Sequence, residues 1–284
     1  MNIKIENVSY SYTNSLKTNL ALDNISFEIK DQDFLAIVGH TGSGKSTLIQ
    51  NLNALLIPTS GKVIVDEFTI AKKIKLKNIK QLRKKIGMVF QFPEYQLFKE
   101  TVRKDILFGP SNFFKELKNE EELALSSLEL VGLDKSYLDK SPFELSGGEK
   151  RRVAIAGILA FNPDVLIVDE PTAGLDPLAS ENMMKLFKKL HDEEKKTIIL
   201  VTHQMNDVLK YANRLIILKD GKLICDDNPY NVFKNIDVND YSLDVPDVFK
   251  VVKQLNSKYP QLNNYKITDI DSLVLALKDV IKHD

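Results

Sequence analysis

The chain has 284 residues, which is enough for a large core and for one or two domains. Its 39 basic and 39 acidic side chains cancel, which gives no support for an overall attraction to nucleic acid. The longest apolar run, Val153 to Phe161, is far shorter than the about 18 residues of a membrane-spanning helix. A single cysteine, Cys225, excludes an intramolecular disulfide and a cysteine-based metal cluster. The N-terminus also lacks a signal-peptide core, so we expect a reduced, cytosolic setting. From the balanced charge we expect no nucleic-acid partner.

Two segments near the N-terminus have the alternating pattern of half-buried antiparallel strands. Apolar and polar residues alternate over 3–10 and again over 25–30, with a polar loop over 14–19 between them. Tyr12 stands at the edge of this loop. The local sequence leaves two interpretations open: its ring stacks on an adenine base, or it is an ordinary surface tyrosine.

The chain is organised around a buried strand followed by a glycine-rich loop. The apolar run 34–38 has the length and composition of a parallel strand buried on both faces. The next residues match G-x-x-x-x-G-K-[ST], whose glycines allow backbone N–H groups to point at an anion. Lys45 can reach the β- and γ-phosphates of a nucleoside triphosphate, and the Ser46 hydroxyl suits Mg²⁺. The predicted phosphate-binding residues are Gly39, His40, Thr41, Gly42, Ser43, Gly44, Lys45, Ser46 and Thr47, with a helix from Lys45 to about Leu56.

An aromatic-rich loop follows the next buried strand. The predicted elements before it are short strands over 62–65 and 68–70, a solvated helix over 72–85, and a buried strand over 86–90. Gln91 ends that strand, and the loop after it contains Phe92, Glu94, Tyr95 and Phe98. Because loops usually lie on the surface, the aromatic cluster favours a contact surface. The alternative is that the loop packs onto its own domain.

The stretch 101–162 is predicted to be mostly helical. Helical periodicity covers 101–108 and 120–131, and Gly109-Pro110 and Gly132 are predicted to end these helices. A further helix opens within 141–149 and runs to about Phe161. Two glycines at its start offer bare N–H donors to an anion, although this signal is weak by itself.

Polar side chains follow two further buried strands. The strand over 165–168 leads into Asp169 and Glu170, and the strand over 197–201 leads into Thr202 and His203. An aspartate at the carboxyl end of a parallel strand can hold Mg²⁺, and an adjacent glutamate can polarise a water against a γ-phosphate. His203 is predicted at the same sheet edge, where ligands of α/β proteins bind.

The pattern changes beyond Pro229. Before this proline, a hairpin is predicted over 214–226. After it, short amphipathic helices are predicted over 232–236, 245–255 and 267–281. These helices either cap the core or form a protein-contact surface.

Taken together, the motifs resemble those of the ATP-binding-cassette ATPases over about residues 1–229. The resemblance implies an α/β P-loop fold with a mostly parallel core and an N-terminal antiparallel β subdomain. It also implies an inserted helical subdomain over about 98–163 and a C-terminal helical extension over 230–284. By this resemblance Tyr12 stacks on adenine, Gln91 senses Mg²⁺ and water, and Glu170 is the catalytic glutamate. His203 then contacts the γ-phosphate side, and Asp176 belongs to the D-loop.

The family's signature segment is present as Leu145, Ser146, Gly147, Gly148 and Glu149, with LSGGE in place of the commoner LSGGQ. In such ATPases the signature of a second subunit clamps the γ-phosphate across the subunit interface. The resemblance therefore implies ATP and Mg²⁺ as ligands, and a pair of subunits that closes with ATP and opens after hydrolysis.

Three longer stretches resemble the ATPases of energy-coupling-factor transporters, the cobalt and vitamin importers: GHTGSGKSTLIQNLN (39–53), QFPEYQLFKETVRKDILFGPSNF (91–113) and ELSGGEKRRVAIAGILAFNPD (144–164). His40-Thr41 and the aromatic loop are most similar to the second, or A-prime, ATPase subunit. This resemblance implies a peripheral protein on the cytoplasmic face of the cell membrane that drives import of vitamins or transition-metal ions.

The implied partners are a second ATPase subunit in a heterodimer, a transmembrane coupling subunit and a substrate-binding membrane subunit. The coupling subunit is expected to contact Phe92, Glu94, Tyr95 and Phe98, and the C-terminal extension is an expected dimer contact.

Two other functions were compared with this one. A soluble cassette ATPase that acts on DNA or the ribosome is disfavoured by the single cassette, the neutral charge and the lack of a coiled-coil insertion. A non-hydrolytic regulatory subunit is disfavoured because Lys45, Asp169, Glu170 and His203 are all present.

Overall fold

A computed structural model of the chain describes residues 1–14, 17–74, 78–113, 119–235 and 243–282. Within these ranges the strands form a four-stranded antiparallel sheet and a six-stranded, mostly parallel sheet. The antiparallel sheet contains β1 (Ile3–Asn14), β2 (Lys17–Ile29), β4 (Ser60–Val65) and β5 (Phe68–Ile70). The larger sheet contains β3 (Phe34–Val38), β6 (Ile86–Val89), β7 (Val165–Asp169), β8 (Thr197–Val201), β9 (Arg214–Lys219) and β10 (Lys222–Asp227). This architecture confirms the predicted α/β class with its N-terminal antiparallel sheet.

The strand order of the larger sheet places several predicted site residues along one edge. The order is β10-β9-β3-β8-β7-β6, and the strands from β9 to β6 are parallel. The side chains of β3 and β8 are buried along their whole length, because helices and the smaller sheet cover both faces. Consequently β3, β8, β7 and β6 deliver the residues that follow them to the same carboxyl edge.

Arg214 fastens the two sheets to each other. Its guanidinium donates to the carbonyl oxygen of Glu28 in β2 at 2.6 Å and to the Asp33 carboxylate just before β3 at 3.1 Å. Two further hydrogen bonds of 2.6 Å reach both carboxylate oxygens of Asp226. The planar fork of arginine suits this site because it serves a carbonyl and two carboxylates at once.

The helices fall into three groups along the chain. Those that flank the sheets are α1 (Lys45–Leu52), α2 (Ile79–Lys85), α6 (Pro177–Asp192) and α7 (Met205–Tyr211). Between β6 and β7 lie α3 (Val102–Phe113), α4 (Glu120–Leu130) and α5 (Gly147–Leu159). The C-terminal helices are α8 (Pro229–Asn235), α9 (Asp247–Leu255) and α10 (Ile270–Lys282). α9 and α10 enclose a separate apolar cluster that includes Val248, Leu262 and Leu273.

Several predicted boundaries differ from the structure. Gly109-Pro110 was expected to end a helix, yet α3 continues to Phe113. A side-chain atom on Gly109 would lie 2.5 Å from the ring of Phe161, and Phe113 packs edge-to-face on that same ring. Tertiary packing therefore outweighs the cost of the missing N–H of proline.

Other boundaries differ by a few residues. Helix α1 ends at Leu52, where Asn53 accepts a hydrogen bond from the backbone of Leu55, and Ala54 has a positive φ of 56°. The helix expected over 72–85 is helical only from Ile79, and residues 75–77 lie outside the described ranges. Among the described helices, none is long and apolar enough to cross a membrane.

Candidate functional site: the carboxyl edge of the parallel sheet

The glycine-rich loop between β3 and α1 has a backbone that only glycine can adopt at two positions. Gly39 has a φ of 153°, and an added Cβ would lie 2.2 Å from the carbonyl oxygen of Leu218. Gly44 has a φ of 105°, and its Cβ would lie 2.5 Å from the carbonyl oxygen of Ala21. The neighbouring strands therefore press directly on this loop and fix its curvature. The loop leads directly into the N-terminus of α1, which is the arrangement that the predicted anion site requires.

Lys45 is buried, and its ammonium lies at the mouth of this loop. Nζ donates to the carbonyl oxygens of Gly39 at 2.6 Å and His40 at 3.0 Å. Burial lowers the pKa of Lys45, and the nearby carboxylates of Glu170 and Asp169 partly offset that effect. The carbonyl oxygens of the loop thus fix the position of this ammonium group.

Tyr12 lies beside the start of α1. Its hydroxyl is 3.2 Å from the Thr47 hydroxyl, and its ring packs edge-on against Tyr10 with a centroid distance of 4.9 Å. The ring remains partly exposed. This position is one from which an aromatic face can cover a base whose phosphates occupy the glycine-rich loop.

Glu170 occupies a strained and poorly solvated position immediately after β7. Its φ is 48°, and its N–H donates to the carbonyl oxygen of Val201 at 2.9 Å. Oε1 lies 3.3 Å from Nε2 of His203, without hydrogen-bond geometry, so this buried oxygen has no hydrogen-bond partner among the described residues. Burial, and then the charge of Asp169, raise the pKa of Glu170 to about 7. Burial and the positive charge of Lys45 lower the pKa of His203.

The other predicted groups near this edge are accessible. Ser46 is exposed in the first turn of α1, and Gln91 is exposed where the chain leaves β6. Burial raises the pKa of Asp169, and Lys45 opposes that shift. No cluster of three or more histidine, cysteine or acidic side chains forms a ready metal site in the described part of the chain. Ser46 and Asp169 nevertheless fit Mg²⁺, which keeps several waters and takes the remaining oxygens from substrate phosphates.

The signature segment is placed on the helical insertion. Ser146 caps α5 in a reciprocal capping box, in which Glu149 accepts hydrogen bonds from the backbone and hydroxyl of Ser146 at 2.8 and 2.7 Å. The other oxygen of Glu149 accepts from the Tyr137 hydroxyl at 2.6 Å. The hydrogen bonds from Tyr137 and Ser146 lower the pKa of Glu149 to about 2. An added Cβ on Gly147 or Gly148 would touch nothing within 4 Å, so this helix start faces open space.

Asp176 has a similar local role on the neighbouring helix. It caps α6 by accepting a hydrogen bond from the backbone of Ala179 at 2.9 Å, and its side chain is exposed. Leu145, in contrast, is buried beneath the signature segment. The structure thus joins Lys45, Asp169, Glu170 and His203 in one site, and holds the signature and Asp176 as capped, outward-facing helix starts.

The aromatic loop is exposed at its tip and anchored at its base. Tyr95 is 85% exposed and Phe98 is 56% exposed, whereas Phe92, which has a positive φ of 61°, is only 37% exposed. The Asp105 carboxylate accepts from the backbone N–H groups of Phe98 and Lys99 at 3.2 and 3.1 Å. Phe98 also packs edge-to-face on Phe108 of α3 at a centroid distance of 4.8 Å, so the base of the loop is fixed while Tyr95 stays exposed.

Glu94, which was expected to contact the coupling subunit, already has a partner within the chain. Both of its carboxylate oxygens already accept hydrogen bonds from Arg151, at 2.7 and 3.0 Å. Although burial raises it, these bonds hold the pKa of Glu94 below its usual value. Sequence reasoning missed Arg151, because nothing in the run Lys150-Arg151-Arg152 shows which of three adjacent cations is buried.

We predict that Glu170→Gln gains stability relative to the wild type as the pH rises from 5 to 8. A raised folded-state pKa means that Glu170 stabilises the fold fully below about pH 4.5, and that this contribution is lost as the pH rises through 7. Lys45, Asp169 and His203 face the carboxylate in both proteins, so their own titration largely cancels. Urea unfolding without nucleotide or Mg²⁺ should show a difference that grows by on the order of 1–2 kcal/mol.

Glu181→Gln is the matched control, because this exposed glutamate of α6 is paired with Lys185. Its difference from the wild type should stay flat over the same pH range. A constant difference for Glu170→Gln would contradict the raised pKa.

Comparison with known proteins places this geometry in a family. A family model described as ABC transporter matches residues 22–173. The energy-coupling factor transporter ATP-binding protein EcfA2 of Clostridioides difficile (strain 630) is 46% identical and covers 99% of this chain and 97% of its own length. The protein of that name from Clostridium perfringens (strain 13 / Type A) is 47% identical over the full length of both chains.

Solved structures agree with the sequence relatives. The structure of cbiO1 from Clostridium perfringens, part of the ABC transporter complex cbiONQ, has a TM-score of 0.74 at 36% identity, over 92% of this chain and 97% of its own. The ATP-binding cassette MJ0796, as a dimer bound to ADP and phosphate, has a TM-score of 0.71 at 33% identity, over 80% of this chain and 98% of its own. The chain therefore belongs to the ABC transporter family and, within it, to the ATP-binding proteins of energy-coupling factor transporters.

Proposed function

We propose that the chain binds ATP and Mg²⁺ at the carboxyl edge of its parallel sheet and hydrolyses ATP to drive import by an energy-coupling factor transporter. One observation carries this proposal. The site contains both a buried lysine held by backbone carbonyls and a buried glutamate oxygen that has no hydrogen-bond partner among the described residues. Lys45 and the loop amides can donate hydrogen bonds to anionic oxygens, and Oε1 of Glu170 can accept one from a proton donor. ATP and its attacking water supply both.

The chemistry follows from the positions of these side chains. Water attacks the γ-phosphorus as its proton passes to Glu170, the bond to the β-phosphate oxygen breaks, and that electron pair leaves with ADP. A carboxylate with a pKa of about 7 is matched to this task, because it accepts a proton near neutral pH and can release it again. His203, within 3.3 Å of Glu170, lies where it can contact the transferred phosphate. Ser46 and Asp169, joined by Gln91, would hold Mg²⁺, which neutralises charge that develops on the phosphates.

The second half of each ATP site is proposed to come from a partner ATPase subunit. The resemblance to energy-coupling-factor ATPases favours a heterodimer. Supporting this, the segment Ser146–Gly148 faces outward at a helix start whose free N–H groups suit a phosphate. Glu149 orients Ser146 from behind, Leu145 anchors the segment, and Asp176 lies at the exposed start of α6. The dimeric cassette among the similar structures supports the same pairing.

The C-terminal extension over 230–284 is proposed to contact that partner. Most of its apolar residues pack inside the segment, where Val248, Leu273 and Val280 belong to a common cluster. One face of α10 remains exposed, with Ile270 72% and Ile281 55% accessible. Val274 lies between them on the same face at helical spacing, so this face exceeds the scattered apolar residues of an ordinary surface. The exposed Leu275 lies about 140° around the helix from Ile270.

The aromatic loop is proposed as the contact for a transmembrane coupling subunit, through Phe92, Tyr95 and Phe98, with Glu94 supporting the loop from below. An amphipathic helix that covers this exposed tip would bury aromatic surface. We accordingly place the chain as a peripheral subunit on the cytoplasmic face of the membrane. A separate substrate-binding membrane subunit would select the vitamin or metal ion. We do not propose a nucleic-acid partner.

The ATP assignment predicts a separation between binding and hydrolysis. Lys45→Ala should weaken ATP affinity about 10- to 100-fold, the size of lost charge-assisted hydrogen bonds. Glu170→Gln should keep ATP binding but slow single-turnover hydrolysis by about 10² to 10⁴. Nucleotide titration and quenched-flow hydrolysis measure the two effects, with the exposed Glu181→Gln as control. Wild-type turnover at a homogeneous Glu170→Gln site would remove Glu170 from the catalytic role.

The loop assignment predicts that Tyr95→Ser weakens binding of the membrane coupling subunit about tenfold, because burial of an aromatic side chain is worth roughly 1.5–3 kcal/mol. ATP affinity of the isolated subunit should not change. Ile224→Ser removes an exposed apolar side chain from edge strand β10 and is the control. Pull-down from detergent-solubilised membranes measures assembly, and unchanged capture of the membrane subunit by Tyr95→Ser would exclude the loop tip.

The extension assignment predicts that Ile270→Ser combined with Ile281→Ser weakens nucleotide-free subunit pairing about tenfold or more, through the lost burial of two large side chains. Both residues point away from the internal cluster, so the fold should persist. Analytical ultracentrifugation of the paired subunits measures this, again beside Ile224→Ser. Pairing as tight as in the wild type would give this face another role.

A further inference from the structure

Arg151 lies in the interior where the aromatic loop, the signature helix and the Glu170 segment meet. Its side chain in α5 is only 3% exposed. Nε and one terminal nitrogen donate to the two oxygens of Glu94, at 3.0 and 2.7 Å. The remaining nitrogen donates to the carbonyl oxygens of Pro171 and Ala173, both at 3.0 Å. Four of the guanidinium's N–H groups are therefore committed in one plane.

The two carbonyls belong to the turn that directly follows Glu170. Ala173 donates its backbone N–H to the carbonyl oxygen of Glu170 at 3.1 Å, and Leu175 donates to Thr172 at 3.2 Å. This turn then leads into Asp176 and α6. Arg151 consequently fixes the far side of a turn whose near side carries the carboxylate of Glu170.

This restraint helps to maintain the backbone conformation of Glu170, which is unfavourable without support from neighbouring residues. A φ of 48° is unfavourable for a residue with a side chain and persists only where surrounding contacts impose it. The Val201 carbonyl holds the residue on one side. The Arg151 hydrogen bonds to Pro171 and Ala173 restrain the chain on the other side.

Phe92 packs against the same junction. The guanidinium carbon of Arg151 lies 5.7 Å from the centroid of its ring, and a Cβ on Gly174 would lie 3.5 Å from its Cε1. Phe92 and Glu94 of the aromatic loop therefore contact Arg151 and the turn. Tyr95, whose ring centroid is 6.0 Å from that of Phe92, and Phe98 are the more exposed aromatic residues of the same loop.

We propose that Arg151 is a positioning residue that holds the turn after Glu170 in register with the aromatic loop, so that docking of a membrane subunit on the loop changes the placement of the catalytic carboxylate. The coupling half of this inference rests on the proposed docking function. The positioning half rests on the contacts of Arg151 alone.

The test uses Arg151→Lys and Glu94→Gln. Lysine keeps the positive charge but cannot serve a carboxylate and two carbonyls from one plane. In the isolated subunit pair, Arg151→Lys should lower single-turnover hydrolysis at saturating ATP about tenfold, while KM for ATP stays within about twofold. A merely structural role would lower the folded fraction or the Tm but leave the rate per folded site unchanged.

In the assembled transporter, the ratio of ATPase rates with and without the membrane subunits measures coupling. Arg151→Lys and Glu94→Gln should each reduce this ratio severalfold, and the double variant should fall no further than Arg151→Lys, because both changes break one connection. Arg103→Lys is the control, since Arg103 forms an exposed pair with Asp139 at 3.0 Å in the same helical insertion. It should alter neither measurement.

The outcomes separate the two proposals. A wild-type ATPase that does not respond to membrane subunits contradicts the docking function, and the single-turnover rate of the isolated pair then still decides the role of Arg151. An unchanged single-turnover rate in folded Arg151→Lys overturns the positioning role. An unchanged rate ratio, or strictly additive effects of the two variants, overturns the coupling role.

Discussion

The order of the parallel strands is the constraint on which the site depends. Because β3, β8, β7 and β6 are neighbours with a common direction, the phosphate loop, His203, the Asp169-Glu170 pair and Gln91 follow one another along a single edge. These residues are separated by up to more than half of the chain, and only the sheet order brings them together. The antiparallel sheet contributes by pressing Ala21 and Leu22 onto Gly44 and by carrying Tyr12 to the rim.

Burial converts this edge from a set of polar residues into a reactive site. Lys45, Asp169 and Glu170 share a small, poorly solvated volume, in which burial favours the neutral form of each group and the opposite charges resist that effect. Such an arrangement is costly for the free protein, and a polyphosphate with a divalent cation would relieve the cost by adding partners of both signs. Perturbed pKa values of this kind concentrate at functional sites for that reason.

The amount that the sequence could predict varied with the range of the interactions. Strand patterns and the G-x-x-x-x-G-K-[ST] loop are local, so the parallel core, Lys45 and the two acids after β7 could be placed from the residues alone. The continuation of α3 through Pro110 depends on the distant ring of Phe161, which local periodicity does not contain. The pairing of Glu94 with Arg151 joins residues that are 57 positions apart. It could not have been inferred without knowing that the loop folds back onto α5.

Several functional groups of the free subunit are held by partners that a bound nucleotide would replace. Lys45 donates to carbonyls of its own loop, and the Ser146 hydroxyl donates its proton to Glu149. Since a hydroxyl has one proton, Ser146 must release Glu149 before it can donate to a phosphate of a facing subunit. Glutamine at this position would accept that proton less strongly than the carboxylate does. If the signature segment closes on a partner subunit as proposed, the LSGGE sequence makes that closure compete with the internal hydrogen bond from Ser146 to Glu149.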